Sequence, residues 1–202
     1  MRKLHVFDFD GTLTSKDSLI AFVVYCFGRR RFMEGLLMYF PLIFLMKMGI
    51  LASNGVKQIF FSHYFKGMDY EHFSKLCEQF AEENAGILRT KAMETIRKIR
   101  ERGERMVIVS ASMPDWIRPF FDGFDMEIIG TEPEIKDGIL TGKFATPNCR
   151  RQQKVERLRK SLPEVFGSKE IRKEWHVVAY GDSKGDREMF SAADEWNWKP
   201  FR

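Results

Sequence analysis

Three short runs, Leu4–Phe9, Arg105–Ser110 and Trp175–Gly181, are apolar almost throughout, and each runs into an acid or a hydroxyl. A run of this length without polar alternation suits a strand buried on both faces, and parallel sheets are the common setting for one. Met126–Gly130 is a shorter run of the same kind. Helical stretches lie between and after the runs: Ala85–Arg102, Pro114–Phe121, Arg150–Ser161 and Asp186–Ala193. Strands alternating with helices, joined by right-handed crossovers, give an open α/β fold with a parallel, Rossmann-like sheet.

Residues 15–85 break that rhythm. They contain long apolar runs, such as Ser18–Phe27 and Gly35–Met46, and no strand–helix alternation. The expected organisation is an α/β core of residues 1–14 and 86–202 with an all-helical insertion at 15–85. Ile135–Phe144 carries Asp137-Gly138 between β-capable residues, which predicts a hairpin.

Charge is uneven in the same way. The chain has 33 basic and 28 acidic residues, a net +5, of which residues 1–67 hold 9 basic and 4 acidic and the remainder 24 of each. The whole surplus is local, and no recognisable basic module points to nucleic acid. Within this region Leu36–Leu51 is sixteen residues long and interrupted by Pro41 and Lys47. As a helix it would extend about 24 Å, short of the ~30 Å hydrocarbon core of a bilayer. A helix buried in the insertion, or one lying in a membrane interface beside Arg29-Arg30-Arg31, remains open. Cys26, Cys77 and Cys149 are widely spaced and form no CxxC pair, and the apolar stretch before Asp8 is too short for a signal-peptide core. Both features fit a cytoplasmic protein, with peripheral membrane contact through the insertion as an option.

The strand ends carry the chemistry. Asp8 and Asp10 are two apart in an extended segment, so their side chains would share one side as the chain enters the Gly11 turn. A second acidic pair, Asp182 and Asp186, follows another apolar strand. Open parallel sheets bind ligands beyond the carboxyl ends of their strands, so neighbouring strands would bring four carboxylates together. At ~4 Å each like-charge pair costs about 4 kcal/mol at an effective dielectric of 20. A divalent cation relieves that cost, and an all-oxygen donor set with room for water suits Mg²⁺. Ser110 ends a strand just before Ser112-Met113-Pro114, which reads as a helix start, and a helix N-terminus beside a hydroxyl suits a phosphate. Lys154 would supply a compensating cation. Singly, each has an ordinary reading as turn, strand end or solvated basic helix. Together they set up attack by an aspartate on phosphorus.

Asp8-Phe9-Asp10-Gly11-Thr12-Leu13-Thr14, VSAS ending at Ser112, Lys154, and Gly181-Asp182-Ser183-Lys184-Gly185-Asp186 resemble, in order, the four motifs of the haloacid dehalogenase superfamily of phosphohydrolases. A helical insertion directly after the first motif, a C1-type cap, and the GDSKGDREM form of the fourth are similar to the phosphoserine-phosphatase-like branch. The resemblance implies a Mg²⁺-dependent phosphomonoester hydrolase working through an aspartyl-phosphate. It implies Asp8 as nucleophile and metal ligand, and Asp10 as acid–base that also offers its carbonyl to the metal. Asp182 would be a further metal ligand, with Asp186, Ser183 and Thr12 in support. Ser110 and Lys154 would hold the phosphoryl group, helped by backbone N–H groups near Gly11 and Ala111.

Two departures bear on the substrate. Phosphoserine phosphatases have Glu where this chain has Asp17, and Gly-Gly where it has Ala111-Ser112. The expected substrate is therefore a small phosphorylated molecule other than phosphoserine. The cap would seal the site and bring an arginine such as Arg30 near the phosphate. One alternative is a phosphatidylglycerophosphate-type lipid phosphatase at a membrane surface. Another is a phosphate-binding sensor without turnover, which would have no need of an acid at Asp10.

Overall fold

The computed structural model describes residues 1–50 and 53–202; Leu51, the last residue of the apolar run, lies outside them. The strands are β1 (Arg2–Phe7), β2 (Arg105–Val109), β3 (Met126–Ile129), β4 (Pro133–Lys136), β5 (Ile139–Phe144), β6 (Trp175–Gly181) and β7 (Glu195–Trp198). Five of them form one sheet in the order β3-β2-β1-β6-β7, with every pairing parallel. Chain order reverses at β1, whose neighbours β2 and β6 are reached by crossovers in opposite directions, which opens a crevice at their carboxyl ends. Phe7 pairs with both Ile108 and Tyr180, so the three strands end nearly level.

The period of two divides β1 between two cores. Leu4 and Val6 join Val107, Val109, Val177 and Ala179 on one face, while Phe7 joins Met106 and Ile108 on the other. β7 was not anticipated. Its Glu-Trp-Asn-Trp sequence mixes polar residues and tryptophan over four residues, and it forms the sheet edge with Trp196 and Trp198 exposed.

The insertion is helical. Its helices are α1 (Ser18–Met38), α2 (Phe40–Lys47), α3 (Ser53–Phe65) and α4 (Tyr70–Glu83). The run Leu36–Met46 is not one helix: α1 ends at Met38, and α2 restarts at Phe40 with Pro41 in its first turn, where the missing N–H costs nothing. α1 is itself interrupted at Gly28, at φ 79° and ψ 161°, a conformation that glycine adopts without a Cβ clash.

The remaining helices are α5 (Thr90–Glu101), α6 (Pro114–Ile117), α7 (Gln152–Ser161), α8 (Pro163–Phe166), α9 (Lys169–Arg172) and α10 (Arg187–Ser191). The expected Ala85–Arg102 helix is broken before α5, because Leu88 pairs in extended form with Thr14.

Cap and body share one apolar core. Phe22 of α1 stacks on Phe65 at 5.4 Å between centroids and also meets Phe73, Phe80 and Trp116, the last from α6 of the body. Such ring pairs each add about 0.5–1.5 kcal/mol beyond area burial. The β4–β5 hairpin turns at Asp137-Gly138 as expected, and it is sewn to the cap: Gly67 N–H donates to Leu140 O and Tyr70 N–H to Gly138 O, both at 2.8 Å.

Candidate active site

β1 delivers Asp8, β2 delivers Ser110 and β6 delivers Asp182, each one residue beyond its strand. All three line one cavity of about 520 Å³, together with Asp10, Asp17, Ala111, Lys154, Ser183 and Asp186. The cavity floor is therefore polar. Its wall is not: Leu19, Ile20, Phe32, Leu36, Ile43, Met46, Val56 and Phe60 of the cap close it from above.

A buried lysine organises the floor. Lys154 Nζ donates to Asp8 Oδ1 at 2.6 Å and to Asp186 Oδ1 at 2.7 Å, and all three residues are at most 7% exposed. One cation between two carboxylates leaves a net negative charge out of water. Burial pushes the Asp8 carboxyl up to about 7, with Lys154 opposing and Asp186 adding to the rise. Burial also disfavours a charged Lys154, yet the two carboxylates it touches hold it protonated well above the usual lysine range. Asp186 goes the other way: burial would raise it, but the charge and hydrogen bond of Lys154, with donors from Ser183, keep it low. Its Oδ2 accepts from Ser183 N–H and Ser183 Oγ, both at 2.9 Å, which closes a capping box on the turn after β6.

Asp10 is housed differently. After a turn through Gly11 at φ 79°, its Oδ1 accepts from Ser18 N–H at 2.6 Å and its Oδ2 from Ser112 Oγ at 2.5 Å. Burial and the charge of Asp17 raise its pKa, against the hydrogen bonds from Ser112 and Ser18. Ser18 Oγ in turn donates to Ser112 Oγ and accepts from Trp116 Nε1. The two aspartates of the first motif thus face different surroundings: Asp8 the lysine, Asp10 the junction of cap and phosphate loop.

The other expected residues fall as follows. Thr12 Oγ1 donates to Asp8 Oδ2 at 3.2 Å. Gly11 lets Asp182 approach, since a Cβ there would lie 2.5 Å from Asp182 Oδ2; its own N–H is already given to Thr14 Oγ1. Ser110 is buried, and its Oγ accepts from Ser112 N–H at 3.0 Å. Asp17 caps α1 through Ile20 N–H and sits at the cavity rim. Arg30 is not brought to the site. It is exposed and paired with Glu34 one helical turn along, because its position on α1 points it to solvent rather than to the cavity.

Carboxylate oxygens of Asp8, Asp182 and Asp186 lie within 4.8 Å of one another. Three hard oxygen donors carrying excess negative charge fit Mg²⁺. The Asp10 carboxylate, which accepts from Ser18 and Ser112, is not part of this cluster. Asp182 is meanwhile paired with Arg202 at 2.5 Å.

A cap residue absent from the sequence reading also reaches the floor. Lys57 of α3 donates from Nζ to Ala111 O at 2.7 Å and lines the cavity. Burial lowers its pKa, while Asp10 and Asp17 work to keep it charged.

A strand-end aspartate on a buried lysine, a second acid two residues on and an acidic cluster beyond the neighbouring strand β6 meet in one site beneath the cap. A family model described as haloacid dehalogenase-like hydrolase matches residues 5–191. The chain belongs to the haloacid dehalogenase-like hydrolases. Among curated relatives of this hydrolase is Protein CicA of Caulobacter vibrioides, in strains NA1000 / CB15N and ATCC 19089 / CIP 103742 / CB 15. It is 37% identical over 208 residues, covering 98% of this chain and 86% of that protein. Among solved structures, a protein of unknown function from Bordetella pertussis Tohama I superimposes with a TM-score of 0.80 at 22% identity, covering 97% of this chain and 89% of that one. A substrate-bound phosphoserine phosphatase gives 0.63 at 21% identity, covering 97% and 85%. This hydrolase shares their fold, a parallel five-stranded sheet with a helical insert.

Proposed function

We propose that this hydrolase is a Mg²⁺-dependent phosphomonoester phosphatase acting through an aspartyl-phosphate on Asp8. The observation that carries the reading is the unequal housing of Asp8 and Asp10: Asp8 touches the Lys154 cation, which favours the ionised form a nucleophile needs, while Asp10 hydrogen-bonds to the neutral donors Ser18 and Ser112, which suits a proton donor. An Asp8 oxygen attacks phosphorus, and the bond to the ester oxygen breaks. Asp10, with its raised pKa, gives its proton to the leaving oxygen. It then takes a proton from the water that attacks the phosphorus; the bond between Asp8 and phosphorus breaks, releasing phosphate and restoring Asp8 as a carboxylate and Asp10 as an acid. Lys154 and Lys57, which line the same cavity, would supply positive charge to the transferring group, and Ser110 its hydroxyl. Asp8 and Asp182, with Asp186 beside them, would hold Mg²⁺, which would supply charge neutralisation when bound.

The acid at Asp10 and the cap over the cavity favour turnover over a phosphate sensor. The cavity wall favours substrates whose body is less polar than serine, and this also supports the second reading, a lipid-headgroup phosphatase. Release of phosphate from an aryl phosphate tests the leading reading: turnover should require Mg²⁺ and vanish in Asp8→Asn. Retention of the parent rate in that variant would refute the mechanism. A panel containing phosphoserine and phosphatidylglycerophosphate then separates the substrate readings.

A further inference from the structure

The outer end of the cap is chemically unlike the rest of the surface. Among the described residues, 15 large apolar side chains are exposed, and seven of them fall between Met33 and Ile50. Leu37, Met38, Phe40, Phe44, Met48 and Ile50 are each more than half exposed, and the rings of Phe40 and Phe44 stack at 6.3 Å. Scattered apolar side chains on a surface need no explanation, but a contiguous group does. The cause is visible in α2, which has no polar residue before Lys47. Ile43 and Met46 face the cavity, so the opposite side of the helix is left apolar and uncovered. A helix that is apolar all round is ordinarily buried in protein or lipid.

Charge indicates which. Ser18–Met68 contains six basic residues and one acid, Glu34. Arg29, Arg30 and Arg31 are exposed on α1, just past its Gly28 break. Arg30, Met33 and Leu37 recur at spacings of three and four, which sets them along one stripe of the helix. A second copy seated on this surface by a twofold axis would bring basic residues against basic residues with almost no acid to pair them. An anionic lipid surface complements both features at once, apolar side chains entering the headgroup boundary and arginines meeting lipid phosphates. No helix among the described residues is long and apolar enough to cross a membrane.

We infer that the cap tip is an interfacial docking surface: α2 and the end of α1 seat on an anionic bilayer, with Phe40 and Phe44 inserted and Arg29–Arg31 at the headgroups. The occupant is the bilayer surface itself, and docking requires no catalytic step.

Sedimentation of the full chain with phosphatidylcholine vesicles, with and without phosphatidylglycerol, tests this directly. The protein should pellet with the anionic vesicles only and be released by high salt. Phe40→Ser with Phe44→Ser should cut binding at least roughly tenfold. Arg29→Ala, Arg30→Ala and Arg31→Ala together should cut it on the order of a hundredfold. Aryl-phosphate turnover by both variants should match the parent, which shows that they are folded and that the catalytic reading stands apart. Failure of the parent to bind anionic vesicles would overturn the inference, as would undiminished binding by the arginine variant. So would sedimentation velocity showing a dimer that the phenylalanine variant abolishes.

Discussion

Replacing Asp8 by Asn should stabilise the metal-free protein at neutral and alkaline pH while destroying its activity. The buried triad of Asp8, Lys154 and Asp186 carries two carboxylates and one ammonium at 2.6 and 2.7 Å. The amide side chain would keep an oxygen for Lys154 and leave a neutral Lys154–Asp186 pair. The size of the effect follows from linkage. Burial, moderated by Lys154, lifts the Asp8 carboxyl from 3.8 to about 7, which corresponds to about 4 kcal/mol. A carboxyl raised on folding binds its proton more tightly in the folded state. Its contribution is thus neutral below about pH 4 and increasingly destabilising as pH rises to about 7. The variant also turns an amide toward Thr12, so a net gain of about 2 to 4 kcal/mol at pH 8 is expected, or roughly 5 to 15 °C in Tm. Urea unfolding of parent and variant in EDTA, at intervals from pH 4 to 8, measures it: the curves should meet near pH 4 and diverge upward. Mg²⁺ should then stabilise the parent more than the variant, because a ligand that binds only the folded state adds to stability. Parallel pH profiles, or a variant less stable than the parent at pH 8 without metal, would refute the electrostatic account of this triad.

Other expectations concern the proton donor and the cap lysine. Asp10→Asn should lower kcat by about 10²–10⁴ with KM changed only slightly, and should remove the alkaline decline in rate expected of the parent as its raised carboxyl ionises; steady-state kinetics across pH would show both. Lys57→Ala should reduce kcat/KM about 10- to 100-fold, the range for one lost charge-assisted contact, and Lys57→Arg should recover part of it. If Lys57 only braces the Ala111 carbonyl, the melting temperature will fall and kcat/KM will not.

Part of the cavity floor was legible because three of its residues stop apolar strands. Asp8, Ser110 and Asp182 could be located from where hydrophobicity ends, and parallel pairing levels those ends without further information. Lys57 was not legible, since a single lysine on a helix announces nothing about which cavity the helix will roof. Arg30 shows the same limit from the other side. Its charge was visible, but its direction was set by its place on α1, where Glu34 lies one turn away and solvent lies beyond. Asp186 was read as a supporting residue, and its capping box and its bond to Lys154 agree with that, although its carboxylate also stands within the acidic cluster. β7 was missed because its four residues have neither alternation nor a continuous apolar run.

The ring cluster around Phe22 has a mechanical consequence. A lid hung on two strands of chain can swing as a rigid body, but here Phe22 and Phe73 are locked against Trp116 of the body and Phe80 against Phe120, and Trp116 also holds Ser18 beside Asp10. Rotating the whole insert would tear open that cluster and displace Ser18 from Asp10. The hinge should instead lie within α1, at Gly28, so that only its distal half and α2 lift to admit a substrate. Amide exchange should then be slow from Ser18 to Phe27 and through α4, and faster from Arg29 through α2. Uniform protection across the insert would place the hinge elsewhere. Access and proton transfer are in this way assigned to opposite ends of one helix, and the site can open without misaligning its acid.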